Sequence, residues 1–484
     1  MGAHFDPGPL WFTVKRVLKV IMWQVCVAFA CALLGASLAA VTWMICISPK
    51  MKIVWILLDV LRRVAMICFA GLFYATVMGG SDANQRLNLV WRTWWVFAFP
   101  MVLSLLISIS HHLQLPILWR SCILAPTWWA TMAAFLPFTY FRMSAKFWNI
   151  QKANLYAAKV TLIWAIPCVM GMLFVSFMES IIQAANTDQA RTQYVVIEFI
   201  VIGWPFVSLA CKTARSLQEG PPTTNGCLVT YVALNYAIGP RTLQIQMVSF
   251  NYKMLISLIF SLMDLVSDVC LPYSVVLYIT IKRKCAGPKP EDGSHEGWRN
   301  LHQEEKTTGK VNYSFRDRMQ ASTDSVMRSA STFNLPSAMS RLAASPRYLR
   351  LLSDQVFNYH MAEITALLYP NLAALMAAFI TTKSYIGLVQ GVAALCVLLL
   401  IETFMELILY VILLRTNNLS LCRATFEPGV MKVRIHALLW ICLVVFSYLS
   451  ADFLGYIGTG MRYQKWAGER WKDHCPHFSL VWTD

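Results

Sequence analysis

Residues 386–414 read IGLVQGVAALCVLLLIETFMELILYVILL. Glu402 and Glu406 carry the only charges in this run, which is longer than the roughly 20 apolar residues that a transmembrane helix needs. Comparable apolar runs lie at 22–47, 64–79, 94–110, 121–141, 160–178, 194–211, 254–281, 361–382 and 436–458. The sequence therefore predicts an all-α fold, a polytopic transmembrane helical bundle.

The number of membrane crossings depends on one short segment. Residues 227–238 are apolar, but they are bounded by Pro222 and Pro240 and are too few for an ordinary span. The segment either crosses or re-enters the membrane. The sequence predicts ten spans without it and eleven with it.

The composition indicates a membrane protein and argues against a soluble or a nucleic-acid-binding protein. Hydrophobic residues make up 57% of the chain and charged residues 14%, against about 25% charged in soluble domains. The net charge of +16 comes from Lys and Arg placed between apolar runs, which is typical of membrane loops. We therefore expect the lipid bilayer as a partner and no binding to nucleic acid.

The spans fall into two blocks. Residues 1–281 form an N-terminal membrane block of seven or eight spans, 282–353 a polar loop, 354–460 a C-terminal block of three spans and 461–484 a polar tail. Eleven spans with a cytoplasmic N-terminus place most of the 41 basic residues inside. A ten-span topology with the loop outside stays open, although the basic run 282–284 favours the inside.

The loop at 282–353 holds 13 basic and seven acidic residues and little apolar surface, which is typical of a largely disordered segment. Ser331 and Ser345 are candidates for phosphorylation, and Cys285 for palmitoylation. Such a loop could dock cytoplasmic proteins. Near its end, Pro346 predicts a helix start, and Leu352 and Phe357 belong to the apolar face of a short amphipathic helix that could lie on the membrane surface.

Acidic residues within the apolar spans are the main functional signal. A carboxylate near the bilayer centre costs about 2.5 kcal/mol or more, so such residues usually face the bundle interior and mark ion or proton paths. The candidates are Glu198, Asp264, Asp268, Glu402, Glu406 and Asp452.

Two of these pairs have helical spacing. Asp264 with Asp268, and Glu402 with Glu406, lie four residues apart and so share one face of their helix. Close acids repel unless a proton, a cation or a basic side chain neutralises them. The spacing is therefore typical of a proton or cation path. The alternative is structural pairing with Lys159, Arg241, Lys253, Arg62 or Arg63.

These observations favour a transporter or channel for a cation or a proton-coupled solute. The alternative is a receptor or scaffold that does not transport and whose basic loop binds cytoplasmic partners. The sequence lacks the P-loop, GxGxxG, HExxH and GxSxG motifs, so we expect neither an enzyme nor a cofactor or metal site. The tryptophan groups 91–95 and 128–129 favour an interfacial belt over a ligand cage.

Overall fold

The computed structural model describes most of the chain, and every regular element in that part is helical. The described residues are 9–46, 52–80, 82–113, 116, 123–184, 187–197, 203–217, 222–245, 247, 249–285, 346–416 and 429–463. The helices in chain order are α1 (Leu10–Cys46), α2 (Lys52–Gly79), α3 (Ala83–His112), α4 (Ala125–Ala130, a π-helical turn Thr131–Phe135 and Leu136–Phe147), α5 (Ala153–Ala184), α6 (Asp188–Val196), α7 (Trp204–Arg215), α8 (Pro222–Ile245), α9 (Phe250–Cys285), α10 (Pro346–Thr382), α11 (Tyr385–Thr416) and α12 (Val430–Tyr463). The all-α fold class is confirmed.

Six segments of the described chain are long and apolar enough to cross a membrane. They are Leu10–Thr42, Val60–Gly79, Ala83–Ser110, Leu352–Ile380, Tyr385–Arg415 and Val430–Ser447. A further apolar helix, Ala153–Val169, is shorter. The chain is therefore a multi-pass integral membrane protein.

The short apolar segment 227–238 forms the interior of α8, and α8 is at the centre of the bundle. Every residue from 226 to 234 is buried, on all faces of the helix. Among the described helices, α8 packs most extensively against α10, and it also packs on α5 and α12. A helix that is enclosed by protein on all sides is apolar all round, which explains the continuous apolar run.

The predicted surface helix near residue 350 is instead the first part of the long helix α10. Leu352, Val356 and Phe357 are each at most 2% exposed, because α10 packs against α1 and α8. The interpretation as a surface helix was therefore wrong, although the helix does begin at Pro346. These contacts also join the two predicted blocks, since α1 and α8 belong to the first and α10 to the second.

Small residues on α1 allow this close approach. The buried face of α1 carries Ala28, Ala32, Gly35, Ala36 and Ala39, which recur every three or four residues. In membranes, helices gain stability from close van der Waals packing, and small residues bring the backbones together. This face meets α10 and α12.

Gly35 is the tightest point on this face. A Cβ atom there would overlap the ring of Phe446, which is held by stacking on Tyr369 with 3.8 Å between ring centroids. We therefore expect Gly35→Ala to lower the free energy of unfolding by about 1–3 kcal/mol. Thermal unfolding in detergent would measure the loss. Ser37→Ala, at an exposed position of the same helix, is the control and should change little; equal stability of both variants would contradict the packing argument.

Candidate functional site

A buried histidine gathers acidic side chains from three helices. His360 of α10 places Nε2 3.1 Å from Asp268 Oδ2 of α9. Its Nδ1 lies 3.2 Å from Glu363 Oε2 of α10 and 3.3 Å from Glu406 Oε1 of α11. The side chains of His360, Glu363 and Glu406 are at most 9% exposed. The imidazole therefore has a carboxylate oxygen beside each ring nitrogen.

Asp264 extends the group by one helical turn. It precedes Asp268 by four residues on α9 and lies near enough to Glu363 and His360 for electrostatic interaction with both. We call Asp264, Asp268, His360, Glu363 and Glu406 the acid–histidine cluster.

Helical spacing explains how the cluster assembles. Asp264 with Asp268 lies on one face of α9, and His360 with Glu363, three apart, on one face of α10. Packing of α9 against α11, and of α10 against α11, brings these faces to Glu406. Glu406 Oε2 is buried and, among the described residues, has no hydrogen-bond partner.

Glu402, one turn before Glu406, has a different role. It forms an ion pair with Arg241 of α8, and Ser261 Oγ donates to its second oxygen over 2.8 Å. The Arg241 guanidinium also donates to Gln244 Oε1 and Ser257 Oγ, at 3.1 and 2.9 Å. Arg241 was one of the basic residues considered as structural partners. The two acids of the predicted pair Glu402 and Glu406 therefore have different partners: Glu406 belongs to the acid–histidine cluster, and Glu402 belongs to an ion pair.

A second buried ion pair lies nearby on α10. Asp354 pairs with Arg434 of α12, and both side chains are 0% exposed. The Arg434 guanidinium also lies 4.3 Å from the centroid of the Phe357 ring. Asn358 Nδ2 donates to the Asp354 carbonyl oxygen over 2.8 Å. This pair ties α10 to α12.

Polar contacts continue from the cluster to α1. The ring of Tyr410 lies 5.6 Å from that of His360, and Gln24 Nε2 of α1 donates to the Tyr410 hydroxyl over 2.6 Å. Gln24 Nε2 also donates to the carbonyl oxygen of Phe357 over 3.1 Å. A buried Gln that reaches two other helices is an interhelical bond of the kind that fixes membrane bundles.

The structure brings together some of the sequence candidates and leaves others apart. Asp264, Asp268 and Glu406 join the cluster, and Glu402 joins the Arg241 pair. Asp452 lies in α12, but its side chain is not among those described, and the same holds for Cys285 at the end of α9. Glu198, Ser331 and Ser345 lie outside the described residues.

Sequence reasoning missed His360, Glu363 and Asp354. Asp354 and His360 precede the predicted apolar run 361–382, and Glu363 lies in its first turn, so none of the three was counted among the acids within spans. A usable signal exists in the spacing, since Asp354 and Asn358 are four apart and His360 and Glu363 three apart. Polar residues at these intervals share a helix face.

Comparison with known proteins gives no guide to the site. No protein-family model, no curated protein and no solved structure matches the chain. The chemistry of the site is therefore argued from its own residues.

Proposed function

We propose that the protein is a proton-coupled membrane transporter whose proton path runs through the acid–histidine cluster. The observation that carries this proposal is the contact of carboxylate oxygens with both ring nitrogens of His360. An imidazole can accept a proton at one nitrogen and release another from the second, which makes histidine suited to relay protons. Here one side of the relay is Asp268 on α9, and the other side is Glu363 on α10 together with Glu406 on α11.

The charge balance of the cluster supports proton binding. Three carboxyl groups lie within 3.3 Å of one imidazole, so even a protonated His360 could neutralise only one of them. A buried ion without compensation costs several kcal/mol, so the remaining acids must bind protons or a cation. By contrast, Glu402 and Asp354 each form an ion pair with an arginine, Arg241 and Arg434 respectively, as expected of structural contacts.

The geometry favours protons over a metal ion. The contacts of His360 with its acids span 3.1–3.3 Å, which is hydrogen-bonding distance between a ring nitrogen and an oxygen. A metal ion would instead need its ligand atoms to surround a gap, each about 2.0–2.6 Å from the ion. Among the described residues, no group of three or more His, Cys, Asp or Glu side chains has such an arrangement.

Proton flux in proteoliposomes tests the proposal. The purified protein would be reconstituted around a trapped pH-sensitive dye, and a membrane potential and a pH gradient would be imposed in turn. We expect Glu406→Gln to reduce flux about tenfold, less than the roughly 10²-fold cost of losing a proton-transfer group outright, because Glu363 still contacts Nδ1.

Glu402→Gln is the matched control, since it is the same substitution one helical turn away. It weakens the pair with Arg241, so we expect lower stability but unchanged flux per folded molecule. Equal loss of flux in both variants would contradict the division of roles. Absence of proton and monovalent cation flux in the native protein would overturn the proposal and favour the receptor or scaffold.

A further inference from the structure

Helix α1 runs in the same direction as α10. Gln24 Nε2 of α1 donates to the carbonyl oxygen of Phe357 on α10 over 3.1 Å. Farther along both helices, Gly35 of α1 lies against the ring of Phe446, and that ring stacks on Tyr369 of α10. The two helices therefore begin at the same end of the bundle, which we call the near end.

Helix α11 runs the opposite way and ends at the near end. Tyr410, in its last third, accepts a hydrogen bond from Gln24. Gly391, near its start, lies against Leu375 in the last third of α10. Five residues separate Tyr410 from the end of the apolar span of α11, about 8 Å along the helix axis, and Glu406 lies one turn farther in. Tyr410 therefore lies between the acid–histidine cluster and the near end.

Two buried oxygen atoms in this region have no hydrogen-bond partner among the described residues. They are Glu406 Oε2 and Gln24 Oε1. Gln24 is 0% exposed and Glu406 is 6% exposed. A buried acceptor without a partner costs free energy, and bound water is the group that commonly satisfies it. Both oxygens are therefore suited to bind water that enters from the near end.

Tyr410 has the chemistry to pass a proton between these two oxygens. Its hydroxyl accepts from Gln24 Nε2 over 2.6 Å, and a phenol also has one O–H to donate. Side chains in a helix tilt toward its amino terminus, so Tyr410 leans over the turn that carries Glu406, near enough for electrostatic interaction. When the phenol gives its proton toward Glu406 and takes another from water at Gln24, its O–H bond is re-formed and one proton has moved inward.

The polar groups on the other side of Glu406 are already engaged. Glu402 lies one turn from Glu406, in the direction opposite to Tyr410. Its two oxygens contact the Arg241 guanidinium and the Ser261 hydroxyl, the latter over 2.8 Å. A guanidinium has no acceptor and keeps its proton, so this pair cannot continue a relay. The open acceptors thus lead from the cluster toward the near end.

From these features we infer that the acid–histidine cluster exchanges protons with the near end, through the Tyr410 hydroxyl and water bound at Gln24 Oε1. The inference rests on the proposed transport function, because a relay to the cluster matters only if the cluster carries protons. It adds the side from which the cluster is loaded and two relay residues, Gln24 and Tyr410.

Proton flux in proteoliposomes tests the role of Tyr410. Tyr410→Phe keeps the ring and removes only the hydroxyl, so we expect flux to fall about tenfold, while water still carries part of the transfer. Tyr231→Phe is the matched control. Tyr231 of α8 is 5% exposed, and its hydroxyl lies 3.3 Å from Cys168 Sγ, outside the cluster, so native flux should remain. Equal loss in both variants would overturn the relay.

Thiol labelling tests the direction of access without relying on flux. Gln24→Cys would be reconstituted in sealed vesicles, treated with a charged, membrane-impermeant methanethiosulfonate from one side, and analysed by mass spectrometry. A tag fused before Met1 identifies the vesicles whose near end faces outward. We expect labelling at position 24 from the near end only, whereas a dry contact between helices would leave the thiol unlabelled from both sides.

Ser257→Cys is the matched control for labelling. Ser257 of α9 is also 0% exposed, but it contacts Arg241 on the other side of Glu406. This thiol should stay unlabelled, and labelling of Ser257→Cys in place of Gln24→Cys would overturn the direction. Native flux that is lost in His360→Gln but unchanged in Tyr410→Phe and Gln24→Leu would overturn the route and leave the transport function standing. Absence of flux in the native protein would overturn both.

Discussion

Replacing Arg434 with methionine should lower the free energy of unfolding by about 3–5 kcal/mol, the usual cost of removing one partner of a buried ion pair. Arg434 and Asp354 are both 0% exposed, so water cannot replace the lost guanidinium. Methionine keeps much of the side-chain volume, which limits the contribution of an empty cavity. Reversible unfolding of the reconstituted protein in increasing denaturing detergent would measure the change.

Two further variants isolate the charge effect. The double variant Asp354→Asn, Arg434→Met removes the orphaned carboxylate and should recover part of the loss. Arg142→Met, at an exposed position of α4, should change stability by less than about 0.5 kcal/mol. A loss below about 1 kcal/mol in Arg434→Met would show that the pair contributes little.

The sequence predicted those features that depend on residues close together in the chain. Long apolar runs identified helices such as α1 and α11, because the bilayer sets both their length and their composition. Spacing of four placed Asp264 and Asp268 on one face, and both indeed approach His360 or its partner Glu363. Local periodicity is sufficient for such statements.

The partners of these residues could not be predicted in the same way. Glu402 and Glu406 have the same spacing and the same surroundings in the sequence, yet one pairs with Arg241 and the other contacts His360. Which acid meets which base depends on how α8, α10 and α11 rotate against one another. That rotation is set by packing across the whole bundle, which a single sequence does not display.

Helix α8 shows a second limit. Its apolar run was too short for an ordinary span because the length rule assumes contact with lipid. Most of α8 faces other helices, and residues 226–234 are buried throughout. The burial of Trp128 was missed for a related reason: the sequence favoured an interfacial belt, but this side chain is 5% exposed, whereas Trp91 is 76% exposed. Only the three-dimensional packing separates Trp128 from Trp91.

The largest functional effect is expected for His360→Gln. Glutamine can keep a hydrogen bond to Asp268, but its amide cannot accept and release a proton. The imidazole connects the acids of α9 with Glu363 and Glu406, so the variant would lose the relay between them. Proton flux in proteoliposomes should fall roughly 10²-fold or more.

His436→Gln is the matched control for this variant. His436 of α12 lies 2.8 Å from the Arg86 guanidinium and takes no part in the cluster. It should therefore keep native flux. If His360→Gln retained flux while remaining folded, the relay would be wrong and the acids would serve to hold the helices together. If His360→Gln lost both flux and thermal stability, folding would be rescued with lipid or at lower temperature and flux measured again. A relay defect would persist in the refolded protein, whereas a packing defect would not.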